Sequence, residues 1–287
     1  MAKLVMICPN PYRDKELQIT KNVRNLLNTA GFETAICPVF DSKESSVIPK
    51  DVQKSDIIDM AKIASLMIVI GGDGTLLHAA RYAAKYRVPV IGINAGTKGF
   101  MTVIDPKDYK QVLKAARGDY LSDTRMMIDV KLKRDGEIIY SDTAINDAVV
   151  HGMGDCIGIS AWCDGDKIST YSGDGIIFST PTGSTAYSLS AGGPIVEPAA
   201  RCLIMTPICV HGMMVRSFIL SPERELIARA ERLHDRKAQL IIDGNKVMEL
   251  RNDDIIRIKI SRQELIIADL GSRSFYDITF EKLVEGL

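Results

Sequence analysis

The sequence lacks the features that mark several classes of protein. Its six cysteines form no Cys-x-x-Cys pair, so we expect reduced thiols and no zinc site. No apolar run approaches the roughly 18 residues that a membrane-spanning helix needs, and the run at the start of the chain is too short for a secretory signal. We therefore expect a cytoplasmic protein that does not associate with membranes.

No charge of one sign dominates the chain. Lys and Arg total 36 and Asp and Glu total 36, so the formal net charge is zero and a broad basic surface for nucleic acid is not expected. The 287 residues suit two domains or one large domain. We find no internal repeat and no low-complexity tract, and these absences favour an ordinary globular fold.

The first part of the chain alternates between strand and helix patterns. Predicted strands cover residues 3–8, 34–39, 66–70 and 88–93, with amphipathic helical patterns between several of them and another after residue 105. This alternation predicts a parallel sheet with helices on its faces, in which ligands bind at the carboxyl ends of the strands. Glycine-bearing turns follow two of these strands, at residues 71–75 and 94–100.

The pattern changes near Arg125. Alternating apolar residues and three Asp-Gly pairs, at 135–136, 164–165 and 243–244, predict antiparallel hairpins. We predict one interrupting helix at 228–233, a short one at 184–190 and a final helix at 275–287. The expected fold is a Rossmann-like parallel α/β domain, residues 1–124, followed by a β-rich, sandwich-like domain, residues 125–265. Residues 266–287 are expected to return to the first domain.

The turn Gly71-Gly72-Asp73-Gly74-Thr75 joins a buried strand to a helix. Such a turn presents backbone N–H groups that can hold phosphate at a helix N-terminus. A carboxylate in that turn suits Mg²⁺ binding, or contact with a hydroxyl that attacks phosphorus, so the turn favours a kinase. His78 follows Gly74 by four residues and therefore lies on the same face of the helix, so its side chain can point back at the turn. The alternative is a plain structural connector.

Two further segments carry polar groups that a simple core would not need. Residues 173–194 run from a strand into a turn rich in small and hydroxylated residues, which suits a nucleotide lying against the backbone. Tyr187 in this segment either stacks on a base or packs in a core. Asn146 and Asp147 interrupt an apolar run, so they either bind a polar ligand such as a ribose or form a bulge or turn.

Neither common kinase loop occurs, that is, no Gly-x-x-x-x-Gly-Lys-Ser/Thr loop and no His-Arg-Asp loop. The segments instead resemble the NAD kinase family over nearly the whole chain. The turn at 71–75 is shared with lipid kinases, but the run from Asp174 to Pro198 is specific, and Thr206-Pro207-Ile208-Cys209 supports it.

The resemblance implies transfer of the γ-phosphoryl group of ATP, with Mg²⁺, to the 2′-hydroxyl of the adenosine ribose of NAD, giving NADP. It implies that Asp73 accepts the proton, that the partners are NAD and ATP, and that the protein is a homodimer or homotetramer with its site between the two domains. We assign no metal-binding residues. The resemblance also implies that the following residues bind the nucleotides: Gly72, Asp73, Gly74, Thr75, His78, Asn146, Asp147, Asp174, Thr185, Ala186, Tyr187, Ser188, Ser190 and Asn245.

The sequence departs from the family pattern at a few positions. Lys98 and Met101 are not the usual residues of the second glycine turn, and Lys98 either meets phosphate or is a solvated loop charge. Ser172 stands where many members have Arg, which puts one charged substrate contact in doubt. Two alternatives stay open at this point, a lipid or other small-molecule kinase and a dinucleotide sensor without catalysis.

Overall fold

A computed structural model describes residues 3–40, 49, 52–96, 99–211, 215–231, 233, 235–271 and 273–283. The chain divides into two compact units. The first contains residues 1–124 and 265–287, and the second contains residues 125–264.

The first unit is built on a parallel sheet in the order β2-β1-β3-β4. Its elements in chain order are β1 (Leu4–Pro9), α1 (Gln18–Thr29), β2 (Glu33–Ile36), α2 (Ile57–Ala61), β3 (Leu66–Gly71), α3 (Asp73–Tyr86), β4 (Val90–Asn94) and α4 (Val112–Arg117).

Both faces of this sheet are covered, as a parallel sheet requires. Every residue of β3 is buried, and its alternate side chains pack with α1 and α4 around Val23, Leu27 and Val112. Helix α3 buries an alanine-rich stripe at helical spacing. Gly31, at φ 85°, follows α1 where the sequence predicts its end.

The second unit is a sandwich of two antiparallel sheets. Its strands are ordered β6-β5-β16-β13-β8-β9 and β12-β11-β10-β7-β14-β15. The elements are β5 (Leu121–Arg134), β6 (Glu137–Ala144), β7 (Asp147–Gly152), β8 (Ile157–Cys163), β9 (Asp166–Gly173), β10 (Gly175–Ser179), α5 (Tyr187–Ser190), β11 (Leu203–Ile208), β12 (Phe218–Leu220), β13 (Leu226–Glu231), β14 (Ala238–Ile242), β15 (Asn245–Leu250) and β16 (Ile255–Asp269).

One apolar core fills the space between these two sheets. It contains Ile128 and Val130 of β5 and Ile256 of β16, together with Phe178 of β10 and Leu240 of β14. Strands β13 and β14 contribute alternate residues to this core. Strands β7, β10 and β11 are buried along nearly their whole length, because their other face is covered as well.

The three Asp-Gly pairs form the hairpin turns that the sequence predicts. Asp135, Asp164 and Asp243 have φ of 51°, 50° and 46°, and each is followed by a glycine with positive φ. Two consecutive residues with positive φ match the twist of the flanking strands, so these short loops close the hairpins without splaying them.

The end of β16 returns to the first unit, where Ile267 pairs in parallel with Val90. The final helix, α6 (Phe275–Leu283), belongs to the same unit. The expected fold class, a parallel α/β unit, a β-rich unit and a returning C-terminal segment, is therefore confirmed. Residues 284–287, which the sequence pattern assigned to the last helix, lie outside the described residues.

The predicted helix at 228–233 is wrong, because residues 226–231 form strand β13 between β8 and β16. Its Leu, Ala, Arg and Glu residues favour helix, but alternate burial in the sandwich overrides that preference. The short helix at 184–190 is a 3₁₀ turn, Thr182–Thr185, followed by α5. Within the described residues, none of the helices is long and apolar enough to cross a membrane.

Candidate functional site

In the first unit, three neighbouring strands end at one cavity. Asn10 follows β1, the 72–75 turn follows β3, and Gly96 and Gly99 follow β4. Because β1, β3 and β4 are adjacent and parallel, their carboxyl ends meet at the same edge of the sheet. The cavity measures about 370 Å³ and is lined by Asn10, Arg13, Phe40, Gly72, Asp73, Gly74, Thr75, His78, Gly96, Gly99 and Lys282.

Asp73 joins the two glycine turns. Its Oδ2 accepts a hydrogen bond from the N–H of Phe100 at 2.6 Å. Its Oδ1 accepts bonds from the N–H of Met101 at 3.1 Å, and from the N–H and Oγ1 of Thr102, both at 3.0 Å. A carboxylate with this many donors is held in one orientation, and Oδ2 keeps acceptor capacity for a further partner.

The glycines around Asp73 differ in whether the fold requires them. A Cβ at Gly99 would overlap the Asp73 carboxylate, so glycine at 99 is needed by the fold itself. A Cβ at Gly72 or Gly74 would meet no atom within 4 Å, and neither residue has positive φ. The described part of the chain therefore gives no structural reason for glycine at 72 and 74, and both backbones lie open to the cavity.

Two cations reach the same cavity from distant parts of the sequence. Arg13 comes from the segment after β1, and Lys282 comes from α6, where its Nζ lies 4.2 Å from the centre of the Phe100 ring. Burial lowers the pKa of Lys282, against an opposing pull from the negative charge of Asp73. Among the described residues that line the cavity, two cations and one carboxylate leave a local excess of positive charge, which suits a polyanion.

His78 and Thr75 complete the wall beside the first turn. The His78 ring packs edge-on against Phe40 with centroids 4.8 Å apart, and burial, followed by the charge of Arg81, lowers the pKa of His78. A mainly neutral imidazole is therefore expected at neutral pH. The Oγ1 of Thr75 accepts a bond from Asn10 Nδ2 at 3.0 Å, so the ends of β1 and β3 are tied together.

In the second unit, Asn146 and Asp147 lie at the start of β7 and are held by Asp243. The Asp243 carboxylate accepts bonds from the N–H groups of Ile145 at 2.9 Å, Asn146 at 2.8 Å and Asp147 at 3.1 Å. Asn245 Nδ2 donates to the Asp243 carbonyl at 3.3 Å. The Asp243 carboxylate thus holds the backbone of Asn146 and Asp147, and the Asp243 carbonyl holds the Asn245 side chain. The sequence interpretation treated Asp243 only as a turn former.

The Asp147 side chain and the Asn146 amide oxygen of this cluster are both buried. Asp147 is only 5% exposed. Burial, and then the negative charge of Asp243, raise the pKa of Asp147 to about 7. The buried Asn146 Oδ1 has no hydrogen-bond partner within the described part of the chain. A buried acceptor without a partner is costly, so a ligand donor is the simplest compensation.

Asp174 and Tyr187 lie in the same unit. Asp174 Oδ1 accepts a bond from Cys156 Sγ at 3.4 Å, and hydrogen bonding to Asp174 raises the pKa values of both Cys156 and Cys209. Burial raises the pKa of Tyr187, with smaller contributions from Cys209, Asp174 and Asp147. Tyr187 is 38% exposed, and its ring stacks on that of His151 with centroids 6.4 Å apart, so part of this residue is accessible to a ligand.

The remaining predicted contacts occupy the 182–190 segment. Thr185 and Ala186 are half-buried and Ser190 is exposed. Ser188 is instead fully buried, and its hydroxyl bonds with Thr206 Oγ1 at 2.9 Å. Ser188 therefore anchors α5 to β11.

Three charged residues of these clusters are missing from the sequence-based list: Arg13, Lys282 and Asp243. Arg13 and Lys282 belong to no recognisable motif. Asp243 belongs to an Asp-Gly pair, but a hairpin turn was a sufficient explanation for that pair. Lys98 lies outside the described residues. Ser172 is exposed, and its carbonyl accepts a bond from His211 N–H at 2.9 Å.

Comparison with known families decides what these clusters belong to. Residues 5–119 match the model of the ATP-NAD kinase N-terminal domain, and residues 124–270 match that of the ATP-NAD kinase C-terminal domain. The chain belongs to the NAD kinase family. The resemblance read from residues 71–75 and 174–198 is thereby confirmed.

Curated NAD kinases align with almost the full length of the chain. The NAD kinase of Acetivibrio thermocellus is 34% identical over 286 residues, covering 97% of this chain and 96% of the relative. That of Lachnospira eligens is 36% identical over 254 residues, covering 88% and 83%. The chain is an enzyme that phosphorylates NAD, and these comparisons give no support to a lipid kinase or a sensor.

Two solved structures share the fold. Yeast NADH kinase complexed with NADH superposes with a TM-score of 0.84 at 24% identity, covering 100% of this chain and 88% of the other. An Archaeoglobus fulgidus NAD kinase in complex with ATP gives 0.71 at 22% identity, covering 97% and 99%.

Proposed function

We propose that the cavity of the first unit holds the triphosphate of ATP while residues of the second unit hold NAD, whose adenosine 2′-hydroxyl receives the γ-phosphoryl group. One observation carries the assignment of the donor. Gly72 and Gly74 leave open space at the N-terminus of α3, although nothing in the described chain requires glycine there. A phosphate that approaches the backbone N–H groups accounts for both glycines.

The charges of the cavity agree with this assignment. Arg13 and Lys282 supply two positive charges beside the turn. A triphosphate is a polyanion, and the Asp73 carboxylate offsets only one of the two positive charges, so the cations stabilise the triphosphate and also orient it.

Asp73 fits the role of a magnesium ligand. Mg²⁺ is usually held by one or two carboxylates together with substrate phosphates, and Asp73 Oδ2 keeps acceptor capacity beside the open glycines. When bound, the ion neutralises charge on the transferring phosphoryl group. The described residues contain no group of three His, Cys, Asp or Glu side chains that could bind a metal by themselves, so the nucleotide would have to complete the ligand set.

Asp73 also acts on the acceptor. Its orientation, fixed by the 100–102 backbone, lets it accept a hydrogen bond from the attacking hydroxyl and direct the oxygen at phosphorus. Phosphoryl transfer passes through a loose transition state, so early proton removal contributes little. We therefore assign Asp73 to orientation and metal binding ahead of strong general-base catalysis.

The second unit supplies groups suited to a dinucleotide. Asn146 offers an acceptor that no described residue satisfies, and Asp147 offers a carboxyl that can donate or accept near neutral pH. Tyr187 offers an exposed ring face for stacking on a base. Asp174, Thr185, Ala186, Ser190 and Asn245 add polar and small-residue contacts, whereas Ser188 contributes by fixing α5.

We further propose a homodimer or homotetramer that works in the cytoplasm. Strand β12 is the outermost strand of its sheet within the described residues, and it exposes 39% of Phe218 and 58% of Ile219. An edge strand with exposed apolar side chains favours pairing with another chain. Light scattering on the purified protein tests the oligomer, and a monomer at working concentration would refute it.

A coupled assay tests the proposed reaction. The enzyme is incubated with NAD, ATP and Mg²⁺, and NADP is detected with an NADP-specific dehydrogenase. Product is expected with ATP and is expected to disappear when EDTA removes Mg²⁺. Parallel reactions with polyphosphate and with NADH establish the range of donors and acceptors, and absence of NADP with every donor would overturn the proposal.

A further inference from the structure

We propose that Asp243 is a positioning residue for the acceptor substrate, because its carboxylate fixes the geometry of the Asn146-Asp147 pair. The inference rests on the proposed placement of NAD at that pair. Both oxygens of Asp243 are used, Oδ2 by Ile145 N–H and Oδ1 by the N–H groups of Asn146 and Asp147. Asp243 N–H also donates to the Asp147 carbonyl at 3.0 Å.

The hairpin itself does not need this carboxylate. Asp135 occupies the same position in the β5–β6 turn, with nearly the same φ, 51° against 46°, and is likewise followed by glycine. Its exposed side chain accepts no hydrogen bond from any described residue. Closing the turn therefore requires a residue that tolerates positive φ, whereas reaching residues 145–147 is particular to Asp243.

The three N–H groups explain why a carboxylate is required. Residues 145 and 146 lie between the end of β6 and the start of β7, where no described backbone carbonyl accepts their N–H groups. One carboxylate satisfies all three donors and balances its own charge against them. An asparagine offers one acceptor oxygen, and its NH₂ group would face a donor.

The pair is also held from the opposite side. Thr180 Oγ1 donates to the Ile145 carbonyl at 2.6 Å, and Thr180 N–H donates to the Asn146 carbonyl at 2.9 Å. Backbone groups on both sides are thus occupied, and the buried Asn146 amide oxygen has no hydrogen-bond partner among the described residues. Fixing the backbone in advance lowers the entropy lost when the ligand binds.

The test compares Asp243→Asn with Asp135→Asn, the same substitution in the same kind of turn. For Asp243→Asn we expect the KM for NAD to rise about tenfold or more, because a small displacement of binding groups has a large effect. The KM for ATP should change less than about twofold, and a given concentration of NAD should raise the melting temperature less than in the parent. Asp135→Asn should match the parent in all three measurements.

Further variants make each outcome decisive. Asp147→Asn tests the proposed NAD site directly: an unchanged KM for NAD there refutes the placement of NAD. If Asp147→Asn raises that KM but Asp243→Asn does not, only the positioning role is refuted. Equal changes in the KM values for NAD and ATP would point to a purely structural effect and would also refute the positioning role.

Should Asp243→Asn fail to fold, Asp243→Glu, which keeps the charge but displaces the oxygens by one methylene, must raise the KM for NAD.

Discussion

The N–H of Phe100 lies 2.6 Å from Oδ2 of Asp73, so the carboxylate of the first glycine turn is bound directly to the backbone of the second. The bonds from Met101 and Thr102 extend the same link. The two turns are therefore linked through Asp73, and the orientation of the carboxylate depends on both. Substitutions in either turn should affect phosphoryl transfer through this shared group.

Replacing Asp73 with Asn should lower kcat by at least about 100-fold, because one acceptor oxygen and the negative charge are lost where the reacting groups are oriented. The dissociation constant of NAD should stay within about threefold of the parent value, since the proposed NAD contacts lie mainly in the second unit. Steady-state kinetics and calorimetry measure the two quantities.

Asp105→Asn provides the matched control for Asp73→Asn. Asp105 also accepts a backbone hydrogen bond, from Lys107 N–H at 2.9 Å, but it lies outside the residues that line the cavity. The Asp105→Asn enzyme should lose some free energy of unfolding and keep the kcat of the parent. A near-normal kcat in Asp73→Asn would show that the carboxylate does not orient the reaction.

Two glycine substitutions separate ligand binding from folding. Gly74→Ala places a methyl group in open space within α3, so the melting temperature should be unchanged or higher, while the KM for ATP should rise about tenfold or more. Gly99→Ala forces a methyl group onto the Asp73 carboxylate and should cost about 1–3 kcal/mol of unfolding free energy. Thermal unfolding and ATP kinetics distinguish the two, and an unchanged KM for ATP in Gly74→Ala would contradict the phosphate assignment.

Much of this architecture follows from periodicity. The continuous apolar run of β3 predicted a buried parallel strand, and alternation after Arg125 with three Asp-Gly pairs predicted antiparallel hairpins, because these patterns report burial directly. The prediction of a helix at 228–233 was wrong because the residues of this segment individually favour helix. Pairing with the neighbouring strands β8 and β16 makes residues 226–231 extended. A preference imposed by tertiary packing leaves a weak local signal.

The candidate site was partly predictable for a similar reason. Residues contiguous with a glycine turn, such as Asp73 and His78, could be placed because the turn fixes their position. Lys282 could not, since it reaches the cavity from the last helix and no local pattern links it to Asp73. The role of the Asp243 side chain could not be predicted, because the Asp-Gly pair at 243–244 already predicts a hairpin turn, and that turn involves only the backbone of Asp243.

Removing the positive charge of Lys282 should weaken ATP binding. Lys282→Met keeps most of the apolar stem over the Phe100 ring but deletes the cation beside Asp73, so the KM for ATP should rise about tenfold while the KM for NAD changes little. Lys282→Arg should retain much of the affinity, and Lys110→Met, at an exposed position of the same unit, should behave like the parent. Equal ATP affinity in Lys282→Met and the parent, measured by calorimetry with a non-hydrolysable analogue, would remove Lys282 from the donor site.

Asp147→Asn should change how stability depends on pH. Burial and the charge of Asp243 raise the pKa of Asp147 to about 7, with Tyr187 the other titratable group nearby. Between its unfolded and folded pKa values the folded state therefore binds more protons, so the unfolding free energy of the parent falls as pH rises through this range and levels off above it. Asn removes this loss. Relative to the parent, the variant should be more stable at about pH 8 than at about pH 5, by a few kcal/mol at most. Urea unfolding at both pH values measures the difference, with Asp135→Asn, an exposed carboxylate, as the control. A parent-like pH dependence in Asp147→Asn would show that another group carries the effect.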